Sequence, residues 1–161
     1  MTLVSDLDET DKKSGIENIF ASKEIKEWIA RSDKWGLRKF FESKEIKELK
    51  ARVESRPGDP AAHFNLGAEY EKAGRTEEAV REFEETLKSN ANSAEAHFNL
   101  AVLYESMNKG DKAILHILKA GNLFGSKNDQ VSKVEARGLL RKYYRKFDVK
   151  PEDFSQSDLD I

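Results

Sequence analysis

An all-α fold, a short array of antiparallel helix pairs, is predicted by three features of the sequence. Ala62-His63-Phe64-Asn65-Leu66 returns as Ala96-His97-Phe98-Asn99-Leu100, and Tyr70, Ala79, Phe83 and Leu87 return as Tyr104, Ala113, Ile117 and Gly121, always at the same offset. A fixed period of this length, about 34 residues, marks a stacked helical array. Within each copy the apolar residues keep helical spacing: His63, Leu66, Gly67 and Tyr70 fall at i, i+3, i+4 and i+7, as do His97, Leu100, Ala101 and Tyr104, so each set forms one stripe of a helix. A break follows, Ala73-Gly74-Arg75 or Asn108-Lys109-Gly110, carrying the Gly or Asn that suits a helix end. A second stripe comes after each break, Ala79, Val80, Phe83 and Leu87, then Ala113, Ile114, Ile117 and Ala120.

Taken in order, residues 1–15 hold Asp6, Asp8, Glu9 and Asp11 and few apolar side chains, which predicts a disordered acidic N-terminus. Residues 16–59 read as a degenerate helical pair or irregular N-terminal cap. Phe20–Glu27 opens a helix with Ser22 as N-cap and Ile25, Trp28 and Ile29 on one side. Phe41–Glu48 echoes that octet, at a spacing nearer three heptads than a full repeat. One repeat length upstream of the first full copy, Ile46, Leu49, Val53 and Pro57 fall on the second-helix pattern, whereas Ser32, Asp33 and Gly36 break the first-helix pattern. Trp28, Trp35, Phe40 and Phe41 are expected to cover the exposed side of the array, as terminal repeats must.

The two full units occupy 60–93 and 94–127. Over 128–148 a capping helix is expected from Asp129 to about Phe147, with Val131, Val134, Leu139 or Leu140, Tyr143 and Phe147 as its apolar stripe and Arg137, Arg141, Lys142, Arg145 and Lys146 outside. Residues 149–161 form an acidic tail, expected to be mobile. Its Ser157-Asp158-Leu159-Asp160 repeats Ser5-Asp6-Leu7-Asp8, which suggests a docking peptide or a plug for a groove.

Composition sets the outer bounds. The 161 residues amount to one domain. Charged residues make up 36% with a net charge of −2, so both signs are interspersed and no polyanion or polycation behaviour follows. No cysteine is present, which excludes disulfides and thiolate metal sites. The polar start and the lack of any run of ~20 apolar residues predict a cytoplasmic protein without a transmembrane segment.

These residues resemble the tetratricopeptide repeats. Leu66, Gly67, Tyr70, Gly74, Ala79 and Phe83 match the pattern in the first unit, and Leu100, Ala101, Tyr104, Ala113 and Ala120 in the second. His63 and His97 stand where the family often has Trp, Thr86 where it has a small Ala, and Ala91 where it has the closing Pro. The resemblance implies a right-handed superhelical array whose first helices line a concave groove. Carried over, its ligand-facing positions are Ala61, Phe64, Asn65, Ala68 and Glu71, then Glu95, Phe98, Asn99, Val102 and Glu105. Two rings one repeat apart, each beside an amide that donates and accepts, suit an extended or helical peptide. The competing reading has Phe64 and Phe98 packing on the preceding second helix and Asn65 and Asn99 bridging helices. Members that grip a C-terminal carboxylate use a Lys and an Asn where this chain has Phe64 and Ala68. Glu71, Glu95 and Glu105 bias the groove instead toward a neutral or basic peptide segment.

Catalysis finds little footing. No Gly-rich phosphate loop, nucleophile elbow or HExxH is present. Glu77, Glu78, Glu82, Glu84 and Glu85 read as a solvated face. His63 and His97 on successive first helices are ~8–10 Å apart by helix packing, too far to share a metal, and are taken as packing residues beside His116. The resulting expectation is a non-catalytic adaptor or assembly factor with no cofactor and no metal. Two alternatives stand beside it: self-association of unmatched terminal faces into a structural module, and a nucleic-acid or membrane surface on the basic last helix, supported by seven Lys or Arg against three Asp or Glu between Asn128 and Lys150 and disfavoured by the modest size of that charge and the lack of a nucleic-acid motif.

Overall fold

The computed structural model describes residues 43–150, which contain six helices and no strand. They are α1 (Lys44–Ser55), α2 (Pro60–Lys72), α3 (Thr76–Ser89), α4 (Ala94–Ser106), α5 (Gly110–Ser126) and α6 (Gln130–Phe147). The chain is thus an all-α helical repeat array: α2 with α3 and α4 with α5 are the two units, α1 precedes them and α6 follows. Expectations for residues 1–15, the Phe20–Glu27 helix, the aromatic cover of Trp28, Trp35, Phe40 and Phe41, and the tail from Pro151 lie outside the described residues.

Start signals sort the helices into two kinds. The first helices open on side-chain caps, which satisfy backbone N–H groups that lack an intrahelical partner. Asp59 accepts from the Ala61 N–H at 2.9 Å, Ser93 from Ala96 at 3.3 Å and Asp129 from Ser132 at 3.1 Å. Ser43, in the second copy of the repeated octet, caps α1 in the same way through the Ile46 N–H at 3.1 Å. The second helices α3 and α5 have no side-chain cap. They are launched directly from the turn that ends the helix before them.

That turn is one geometry used repeatedly. Gly74 and Asn108, at equivalent positions of the two units, both take left-handed backbone, with φ of 71° and 58°. Behind them the Arg75 N–H reaches back to the Tyr70 carbonyl and the Lys109 N–H to the Tyr104 carbonyl, each at 2.8 Å. These bonds close the last helical carbonyls as a Schellman motif does. Asp148 at the end of α6 repeats it, with φ 52° and the Val149 N–H on the Tyr144 carbonyl at 3.2 Å.

The core is the stack of first and second stripes. Leu66, Tyr70, Ala79, Phe83, Leu100, Ala101, Tyr104, Ala113, Ile114 and Ile117 form one buried cluster, which Ile46 of α1 joins at one end and Ala136 and Tyr143 of α6 at the other. Gly67 lets α2 approach α3 closely, since a Cβ there would stand 3.0–3.2 Å from the Phe83 ring. At the equivalent positions of the next unit Ala101 replaces Gly and the smaller Ile117 replaces Phe, so the volumes compensate. Thr86 is buried, and its hydroxyl donates to the Glu82 carbonyl at 2.9 Å.

The last helix corrects one expectation. Its buried side is Ala136 and Tyr143 with Leu139, Leu140 and Phe147 partly covered, while Val131 is 81% and Val134 64% exposed. At 100° per residue, position 134 lies half a turn round the helix from Tyr143. The two valines therefore belong to the outer face, with the arginines. Gly110 also differs from its expected place in the break: it is the first residue of α5, where a Cβ would meet the Phe147 side chain at 2.5–2.9 Å.

Candidate functional site

Between α2, the end of α3 and the start of α4 lies an open hollow of about 310 Å³. Four residues singled out from the sequence, Ala61, Phe64, Asn65 and Glu95, line it together. The remainder of its wall includes Thr86, Asn90 and Ser93, from the second helix and the connector, which the first-helix pattern does not reach. A second hollow of about 440 Å³ lies between α1 and α2, and Asn65 and Ala68 reach it beside Leu49 and Arg52. Asn65 is common to both.

The Phe64 ring packs on Phe83 of its own unit, centroids 5.3 Å apart, and the Phe98 ring on Phe124 at 6.3 Å in an edge-on arrangement. Each ring thus meets an aromatic ring of the helix that follows. Both rings stay partly exposed. Asn65 is exposed and Asn99 partly so, and neither side-chain amide hydrogen-bonds another described residue. Ala68 and Val102 lie partly exposed at equivalent positions of α2 and α4.

The three acids differ. Glu105 binds Lys146 at 3.0 Å and Lys142 at 3.4 Å, which ties α4 to α6 and holds its carboxyl below the usual range. Glu95 sits 3.5 Å from Lys127, with both side chains about half exposed. Glu71 has no ion-pair partner among the described residues, and burial raises its carboxyl. Glu105 is thus held by two lysines, Glu95 by one exposed lysine, and Glu71 by none among the described residues.

The histidines follow one plan with one difference. The His63 Nε2–H donates to the Pro57 carbonyl at 3.0 Å and the His97 Nε2–H to the Ala91 carbonyl at 3.2 Å, donors and acceptors alike displaced by one repeat. On the other nitrogen His63 meets the Glu82 carboxylate at 2.7 Å, whereas His97 meets Nδ1 of His116 at 2.9 Å. A carbonyl only accepts, and with the Glu82 carboxylate on the other nitrogen the pair of acceptors favours the charged form of His63, which donates from both. Burial alone lowers its pKa, but the Glu82 carboxylate and the Pro57 carbonyl outweigh this and raise it. His97, neutral with its proton on Nε2, accepts from the Nδ1–H of His116. Burial lowers the pKa of both, and His116 falls to about 4 with the nearby His97 and Lys112 contributing.

One glutamate assigned to a solvated face is thereby placed differently: Glu82 is half-buried and holds His63. Glu84 stays exposed and accepts from the Tyr104 hydroxyl at 2.6 Å across the unit boundary. The signal for Glu82 was present in the sequence: it stands one repeat before His116, opposite the equivalent histidine. His116 lies under the Tyr104 ring, centroids 5.5 Å apart and nearly parallel. His63 and His97 each pair within their own unit. No group of three or more His, Asp or Glu able to hold a metal occurs among the described residues, and no helix among them is long and apolar enough to cross a membrane.

A family model described as tetratricopeptide repeat matches residues 41–117, from just before α1 into α5. Comparison with curated proteins gave no match.

Proposed function

Residues 41–117 belong to the tetratricopeptide repeats, and from that premise we propose that the protein is a non-catalytic adaptor or assembly factor that binds a peptide segment across the exposed face of α2 and α4. The observation that carries this is the hollow of about 310 Å³ where Ala61, Phe64, Asn65 and Glu95 converge. It combines an apolar wall, an amide free to pair with a peptide backbone and one carboxylate, the mixture that fixes an extended chain in register. Phe98, Asn99 and Val102 continue the same face along α4, and Ala68 and Glu71 along α2. With Glu105 held by two lysines, Glu71 and Glu95 give the ligand its preference for neutral or basic side chains.

The experiment is selection from a random displayed peptide library, followed by titration of the selected peptide against the wild type, Asn65→Ala and Glu95→Lys. Asn65 and Glu95 are exposed, so neither change disturbs the core. Loss of about tenfold in affinity for each variant is expected, as for a hydrogen bond or charge pair removed from a binding face, with thermal unfolding unchanged for Asn65→Ala and lowered for Glu95→Lys only by the loss of its exposed pair with Lys127. Equal affinity for all three proteins would place the peptide elsewhere and overturn the proposal.

A further inference from the structure

The two ends of the described array each present half of a helix pair. Tyr70, Tyr104 and Tyr144 each accept the backbone N–H five residues on, behind a left-handed residue at the fourth. Counted back from these tyrosines, Arg137 stands where His63 and His97 stand, and Arg141 where Gly67 and Ala101 stand. Those are positions at which a first helix receives its second: His63 meets Glu82, His97 meets His116, and Gly67 lies against the Phe83 ring. On α6 the same side is open. Arg137 and Arg141 are exposed and Tyr144 is half-buried, and neither guanidinium has a partner among the described residues.

At the other end, α1 is a second helix with no first helix of its own among the described residues. It packs on α2 as α3 packs on α4, with Ile46 buried at the place of Val80. One repeat length before Glu82 and Phe83, the residues that meet α2, stand Glu48 and Leu49. Glu48 is exposed, with Lys44 of its own helix 3.4 Å away. Glu45, a turn earlier, is exposed as well, and Leu49 is half-buried. All three border the hollow of about 440 Å³ between α1 and α2. The stretch of sequence one repeat before α2 carries Ser32, Asp33 and Gly36 where the stripe of a first helix has Leu66, Gly67 and Tyr70.

We propose that a second copy of this chain covers both faces, α6 of one molecule lying antiparallel on α1 of the next as a first helix lies on its second. Setting α6 and α1 in the register of α2 and α3 places Arg137 opposite Glu48, as His63 is opposite Glu82. It places Arg141 beside Leu49 and Glu45. Leu49 is smaller than the Phe83 it corresponds to, which gives room to the aliphatic stem of Arg141. Arg52, the remaining charge of α1 on the hollow, falls opposite the exposed Val134, as Thr86 lies by Pro60. Two acids of one copy thus meet two arginines of the other. The contact joins two different surfaces, so every added copy leaves one α1 face and one α6 face free, and the assembly grows head to tail as an open chain or a ring.

Sedimentation velocity of the full chain over a concentration series tests this, with the wild type, Arg137→Glu, Glu48→Arg and the protein carrying both changes. Arg137 and Glu48 are exposed, and circular dichroism verifies that each protein is folded. Expected is a wild type whose average mass rises with concentration, with a dissociation constant of about 10–100 μM, in keeping with the small area of a single helix pair. Each single reversal should weaken association about tenfold, and the double reversal should restore most of it, because the charge pair is then exchanged and not lost. Three results would overturn the proposal. A wild type monomeric up to about 1 mM would exclude a second copy and leave the arginines to an acidic ligand. Association indifferent to both single reversals would put the contact on another surface. Weakening by the single reversals without recovery in the double would mean that the two faces do not meet.

Discussion

Glu82 and His116 occupy equivalent positions and shift the histidines they face in opposite directions, His63 toward the charged form and His97 toward the neutral one. The His63 imidazolium is stabilised by Glu82, so its pKa is raised in the folded state. That contribution is complete below the ordinary histidine pKa near 6.5 and is lost as pH rises through the raised value. For His116, whose pKa is about 4 when folded, the sign reverses. Between about 6.5 and 4 the unfolded chain takes up protons that the native pair refuses, and stability falls with pH across that window. His116→Glu should convert the second unit to the arrangement of the first. It is expected to remove on the order of 2 kcal/mol of acid destabilisation between pH 7 and 4.5, read by thermal melts across that range against the wild type. A variant that loses stability with acid as steeply as the parent would refute this account of the pair.

At the scale of single helices, the repeated left-handed turn gives a paired prediction. Asn108 fills the place of Gly74 with φ 58°, a conformation Gly adopts without strain and a β-branched residue resists. Asn108→Gly should stabilise by about 0.5–1 kcal/mol, and Asn108→Val should destabilise by about 1–2 kcal/mol, in urea titrations. Gly110 is constrained differently, by close approach, where the Phe147 side chain lies against α5. Gly110→Ala should cost about 1–3 kcal/mol by overpacking, and most of that cost should vanish in a Phe147→Ala background. These cases also measure what the sequence conveyed. The stripes, breaks and first-helix positions were legible because a fixed period repeats them, and Ile46, Leu49 and Val53 of α1 declared themselves by the same offset. Gly110 was not, since its partner Phe147 lies in a helix outside the period. Nor was the orientation of α6, where Val131 and Val134 offer a second apolar stripe that only packing against α5 decides.

For the molecule as a whole, the core is shared along the stack, so its end elements are expected to be indispensable. Truncation after Ser126 removes Ala136 and Tyr143 from the main cluster. It should lower the urea midpoint and leave the uncovered face of α5 to seek another surface. A truncated protein as stable as the parent would show that α6 is dispensable. The candidate groove was legible only in part for a related reason. The first-helix positions came from the repeat, but Thr86, Asn90 and Ser93 join the hollow through the angle between units, which no linear spacing encodes. Packing between helices is concentrated on neighbours in sequence, α1 on α2 through to α5 on α6. Mechanically, such a chain is a row of springs in series. Stretched from its two ends, it should give way one hairpin at a time, each rupture releasing one repeat, roughly 110–120 Å of contour, while the hairpins still folded bear the load.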